Sequence, residues 1–169
     1  MIYYIQQNLG GILMTQPKSL VEVQIKITKS SIILFALIAI VLLFTGTHIV
    51  QYIMPRSTPL FTDQLRFNVL LSSGYISGTL ALFFLFQLYR LITNIENGNI
   101  FIDENVKTLD WITHAITIVS IIAILVGFTC YLPILFIALA CGFTALIIQI
   151  VRNAFAKAIQ MQDELDYTV

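Results

Sequence analysis

The stretch WITHAITIVSIIAILVGFTCYLPILFIALACGFTALIIQIV, residues 111–151, runs for 41 residues without a Lys, Arg, Asp or Glu. A helix needs about 20 apolar residues to cross the hydrocarbon core of a bilayer, so this run is twice as long as one span requires. Tyr131-Leu132-Pro133 interrupts it near the middle. The reading is two membrane helices, over residues 112–132 and 134–151, joined by a very tight turn. Two more uncharged runs lie upstream and give spans over about 30–54 and 67–89. The expected fold class is therefore all-α: an integral membrane, antiparallel four-helix transmembrane bundle.

Composition agrees. Hydrophobic residues make up 58% of the chain and charged ones 11%, against about 25% charged in ordinary soluble domains. The 169 residues leave no segment outside the spans large enough for a core of its own. The chain divides into an N-terminal segment (1–29), a membrane domain (30–151), and a helix extension with an acidic tail (152–169). Formal net charge is zero, so bulk charge points to no direct nucleic-acid binding. Gly10-Gly11-Ile12-Leu13-Met14 can be encoded as a ribosome-binding site followed by a start codon. Residues 1–13 are accordingly expected to be translated upstream sequence, with Met14 the true start.

Orientation follows from lysine and arginine in the short flanks. Four spans put both termini on one side. Lys18, Lys26, Lys29, Arg90, Lys107, Arg152 and Lys157 fall there, against Arg56 and Arg66 opposite. Both termini are expected in the cytoplasm, and the protein in a plasma membrane as a multi-pass chain.

Residues 90–110 are the most informative polar piece. Leu88, Leu91, Ile92 and Ile95 keep helical spacing past the second span. Asn97-Gly98-Asn99 stops that helix, with Gly98 in the left-handed cap position. Asp103 is the expected N-cap of the next helix, and Glu104 and Asn105 suit its first turn. The expected element is a cytoplasmic helix-turn-helix elbow, with Phe101 tucked between the ends of spans two and three. In the second span, Gly74 and Gly78 are four apart and present a flat stripe for close helix packing. That stripe serves internal packing, with a homodimer through span two as the alternative.

No Asp, Glu, Lys or Arg lies centrally in any span, and P-loop, zinc-protease, nucleophile-elbow and dinucleotide fingerprints are missing from the sequence. No catalytic, cofactor-binding or metal-binding residue is assigned, and no enzyme activity is expected. Cys130 and Cys141 read as small apolar packers.

Two segments carry a resemblance. Leu91…Asn94-Ile95-Glu96-Asn97-Gly98-Asn99-Ile100-Phe101-Ile102-Asp103-Glu104-Asn105…Leu109 is similar to the signature of a bacterial family of membrane proteins, domain of unknown function 2975. In that signature a short helix is followed by glycine, two residues, Phe, three residues, Asn, and then leucine. The tail, Gln162-Asp163-Glu164-Leu165-Asp166-Tyr167-Thr168-Val169, resembles that family's ending. The matching positions are Gly98, Phe101, Asn105, Glu164, Asp166 and Thr168. The similarity covers roughly residues 18–169.

The resemblance implies a membrane partner for a small Cro/CI-like helix-turn-helix transcription regulator, whose gene often neighbours those of the family. The expectation is a sensor or tether holding that regulator. The alternatives are an immunity protein against a bacteriocin or antimicrobial peptide, and a small channel or transporter subunit. Glu96, Asp103, Glu104, Asp110, Asp163, Glu164 and Asp166 would form the acidic face that receives the partner.

Overall fold

The computed structural model describes residues 18–54, 61 and 63–166. Residues 1–13, Met14, the Pro55–Pro59 loop and Thr168 lie outside the described residues, as do the side chains of Asp163 and Asp166. The chain forms four helices: α1 (Lys18–Ile53), α2 (Asp63–Glu96), α3 (Asp103–Thr129) and α4 (Ile134–Asp166). All four are long and apolar enough to cross a membrane. The shortest, at 27 residues, reaches about 40 Å at 1.5 Å per residue. α1 is one continuous helix from Lys18, so the polar segment before the first span runs straight into it.

Consecutive helices are antiparallel. Lys29 meets Glu96 while the Leu43 side chain lies where a Cβ on Gly78 would stand, so numbers rise on α1 as they fall on α2. Arg90 meets Glu104 across α2 and α3. Asp110 meets Arg152, and Ser120 meets Ala138, across α3 and α4. Backbones approach closely only between neighbours in sequence: α1 with α2, α2 with α3, α3 with α4. The expected all-α, four-helix antiparallel architecture is thus present, and among the described residues α1 and α4 make no close backbone approach. α3 is the most enclosed helix. Its buried positions, Asn105, Thr108, Leu109, Ile112, Ala115, Ile116, Ser120, Ala123, Val126 and Gly127, recur at the three- and four-residue steps of one helix face.

Two clusters hold the helices. Ile112, Ile116 and Ala145 pack with Phe84, Leu88, Cys141 and Ile148 toward the end that carries the chain termini. Val50, Leu70, Val126 and Cys130 pack with Ile53, Phe67 and Ile134 toward the opposite end, called here the loop end. Cys130 and Cys141 thus lie in different clusters and are not disulfide-bonded to each other. Outward faces stay apolar: Phe44 is 83% exposed and Phe136 79%. Large bare aromatics are unfavourable in water and ordinary against lipid.

The tightest packing is between α3 and α4. Ser120 Oγ donates to the Ala138 carbonyl at 2.9 Å. A Cβ on Gly142 would stand 3.2 Å from that Oγ. A Cβ on Gly127 would stand 2.6 Å from Leu135 Cδ2 and 3.1 Å from its backbone nitrogen. Of the Gly74/Gly78 pair, only Gly78 meets α1, through Leu43; nothing lies within 4 Å of a Cβ on Gly74. Gly127→Ala is therefore expected to cost about 1–3 kcal/mol by forcing backbones apart. Gly74→Ala should be neutral or stabilising. Thermal unfolding in detergent checks both, and equal effects would refute the assignment.

Candidate functional site at the terminal end

The α2–α3 connection is built from backbone geometry first. Gly98 has φ +81°, the left-handed region that glycine enters without a side-chain penalty. Asn99 N–H donates to the Asn94 carbonyl and Gly98 N–H to the Ile95 carbonyl, both at 3.0 Å. These are the paired bonds of a Schellman cap, which satisfy the last carbonyls of α2. Ile102 is extended, at φ −128° and ψ 146°, and is the residue that caps α3.

Asp103 is thus not the N-cap: it is the first residue of α3, and Ile102 before it caps the helix without a side-chain bond. Asn105 does the polar work instead. Its side chain is fully buried, and Nδ2 donates to the Asn99 carbonyl at 2.7 Å and the Ile100 carbonyl at 2.8 Å. Its Oδ1 accepts from Asn94 Nδ2 at 2.8 Å. One amide therefore ties the end of α2, the turn and the start of α3.

Phe101 is placed differently from the expectation. It is 50% exposed, and its ring lies 5.6 Å from that of Phe155 on α4, tilted by 49°. The reason is spatial: Asn105 and the two capped carbonyls occupy the inside of the turn, so the Phe101 side chain is left on the outside.

Three of the seven acids expected to form an open docking face are engaged within the chain. Glu96 pairs with Lys29 of α1, which also stands 5.3 Å above the Tyr89 ring. Glu104 pairs with Arg90. Asp110 faces Arg152 of α4, with Arg152 Nη2 donating to Oδ2 at 3.0 Å and Nε 2.9 Å from Oδ1. Each neighbouring pair of helices thus carries one ion pair at this end. Such half-exposed pairs contribute about 0–1 kcal/mol each, so they fix register more than they add stability. Asp103 stays exposed, and Glu164 is exposed on α4. His114 Nδ1 donates to the Asp110 carbonyl at 2.7 Å, a local helix bond. Among the described residues no three His, Cys, Asp or Glu converge on a metal-sized site.

The family model described as "Protein of unknown function (DUF2975)" matches residues 50–169, well over half of the chain. The chain belongs to the DUF2975 family. The match starts at the loop end of α1 and takes in α2, α3 and α4, a narrower range than the similarity over 18–169. Gly98, Phe101 and Asn105, three of the positions that carried the resemblance, stand, respectively, as the cap, the half-exposed ring and the buried tie of one connection. No curated protein and no solved structure matches the chain.

Sequence reasoning missed Arg66. Its side chain is 2% exposed; Nε donates to the Cys130 carbonyl at 3.1 Å and Nη1 to the Met54 carbonyl at 3.2 Å. α1 ends two residues and α3 four residues before a proline in the sequence, Pro55 and Pro133, and helix ends of this kind leave unmatched carbonyls. Those two prolines in the sequence, together with Arg66 early in α2, were the available signal. The α3–α4 contact also had one: Ala138, Cys141, Gly142 and Ala145 recur at the spacing of a small-residue face.

Proposed function

We propose that this chain is a non-enzymatic multi-pass protein of the bacterial plasma membrane, with both termini cytoplasmic. On this reading it acts as a sensor or tether for a small Cro/CI-like helix-turn-helix transcription regulator. The regulator comes from the family resemblance. The observation that carries the docking site is half-exposed Phe101, whose ring packs on that of partly buried Phe155 at the polar end beside exposed Ile100 and Asp103. Aromatic rings with a polar rim are the usual anchors of protein interfaces. α4 also continues 15 residues past Val151 to Asp166, about 22 Å of helix beyond the uncharged run. The helix-turn-helix elbow thus serves as a platform centred on Phe101, with Glu164 and its neighbouring acids steering a basic partner toward it. Release under a bilayer signal requires that the regulator bind one helix arrangement better than another.

Co-purification of the intact membrane protein with the regulator encoded next to its gene tests this. Phe101→Ala should abolish recovery, while leaving stability within about 1 kcal/mol because half the ring is already exposed. A variant lacking residues 162–169 should recover less. Undiminished recovery with Phe101→Ala would move the docking site elsewhere, and no recovery with the intact protein would end the tethering role.

A further inference from the structure

A cavity of about 510 Å³ lies within the loop-end half of the helices, with α2 as its floor, α1 as one wall and α3 with the start of α4 as the other. It exists because α2 packs on both α1 and α3 while α1 and α3 stay apart. Its lining is almost wholly apolar. Ser73, one of its few polar groups, returns its hydroxyl to the Leu70 carbonyl of its own helix at 3.1 Å. Small side chains and bare backbone make the room, most clearly at Gly74, where nothing lies within 4 Å of a Cβ.

We infer that this groove holds one acyl chain of a bilayer phospholipid from the loop-side leaflet. The inference rests on the membrane reading above, because that reading supplies the surrounding medium. Along α1 the groove extends from Ala39 to Ile53, about 21 Å at 1.5 Å per residue. One leaflet of hydrocarbon is about 15 Å deep, half of the roughly 30 Å core, so the groove is long enough for a leaflet-spanning chain. The volume falls in the range of about 300–1,000 Å³ that receives single small ligands. Leu42, Ile49, Tyr75 and Ile137 line the groove and are also exposed, so it opens sideways onto the outward apolar surface. At that depth the surrounding phase is lipid tails, and no water is present to fill the space. Val50, Leu70 and Val126 line the groove toward the loop end, and the side opening between exposed residues is where the chain enters. An acyl chain seated there adds contact between α1 and α3, whose backbones do not approach closely.

The test uses full-length protein extracted from membranes in mild detergent, with bound phospholipid counted by phosphate assay and intact-complex mass spectrometry. The wild type should retain a phospholipid through washing, and after delipidation should rebind added palmitoyl-oleoyl phosphatidylglycerol. Gly74→Leu should retain about tenfold less and, once delipidated, should melt above the delipidated wild type, because the leucine fills the groove. Ala39→Phe provides the same test if Gly74→Leu does not fold. Equal lipid retention by wild type and filled variants would overturn the inference, as would no retention by the wild type. A wild-type dimer made monomeric by filling would also overturn it and make a second copy the occupant. Protein released from membranes without detergent would refute the membrane reading itself, which separates the two failures.

Discussion

Asn105→Ala is expected to destabilise the protein by about 4 kcal/mol, the largest effect of any single side-chain truncation in the α2–α3 connection. The side chain is fully buried and makes three hydrogen bonds, to the Asn99 and Ile100 carbonyls and with the Asn94 amide. Truncation strands all three partners, at about 1–3 kcal/mol for each one left dry. Water can reach the turn from outside, where Asn99 and Ile100 are exposed, and that keeps the total below the upper sum. Asn105→Asp should be no milder, because a carboxylate cannot donate to two carbonyls. Gly98→Ala should cost less, about 1 kcal/mol, through its left-handed backbone alone. Chemical unfolding in detergent, monitored by Trp111 fluorescence, checks the order. Asn105→Ala milder than Gly98→Ala would show that the amide does not hold the turn.

Arg66→Met is expected to cost about 3–5 kcal/mol and to loosen the loop end selectively. Two charge-assisted bonds to helix-end carbonyls are lost, each contributing about 1.5–3 kcal/mol, and the carbonyls of Met54 and Cys130 are left without these donors. Arg66→Lys should recover only part, since one ammonium cannot reproduce the spread of a guanidinium. Cys130 gives a local readout. It is fully buried next to the bond it accepts, and with Cys141 replaced by Ala it is the only thiol. Maleimide labelling of Cys130 should accelerate in Arg66→Met and stay slow in Asn105→Ala, whose lesion lies at the other end. Equal acceleration in both would indicate global unfolding and not a local clamp.

The elements that the sequence made legible are those set by the solvent or by the backbone. The 41-residue uncharged run broken at Pro133 could only be two spans, because lipid excludes charge along that length. Gly98 announced the end of α2 because few residues tolerate its φ. The helix arrangement was not legible. In a membrane protein the face toward lipid and the face toward a neighbour are both apolar, so periodicity loses its contrast. Hence α1, whose Phe35, Leu37 and Phe44 are exposed, reads no differently from the enclosed α3. Asn105 looked like an ordinary first-turn residue, since its partners are backbone carbonyls that no sequence pattern marks. Phe101 was misplaced for the related reason that the buried Asn105 side chain fills the inside of the turn. Gly74 and Gly78 looked equivalent, and only the separation of α1 from α3 makes one a contact and the other an opening.

The proposal depends above all on the two ends of the helices lying on opposite sides of a bilayer. Reporter fusions inserted at Thr58, in the α1–α2 loop, and at Gly98, in the α2–α3 connection, test that most directly. A paired alkaline phosphatase and green fluorescent protein assay in bacterial cells should give phosphatase activity only at Thr58 and fluorescence only at Gly98. The same signal from both sites would contradict the four-span topology, and with it the cytoplasmic platform around Phe101.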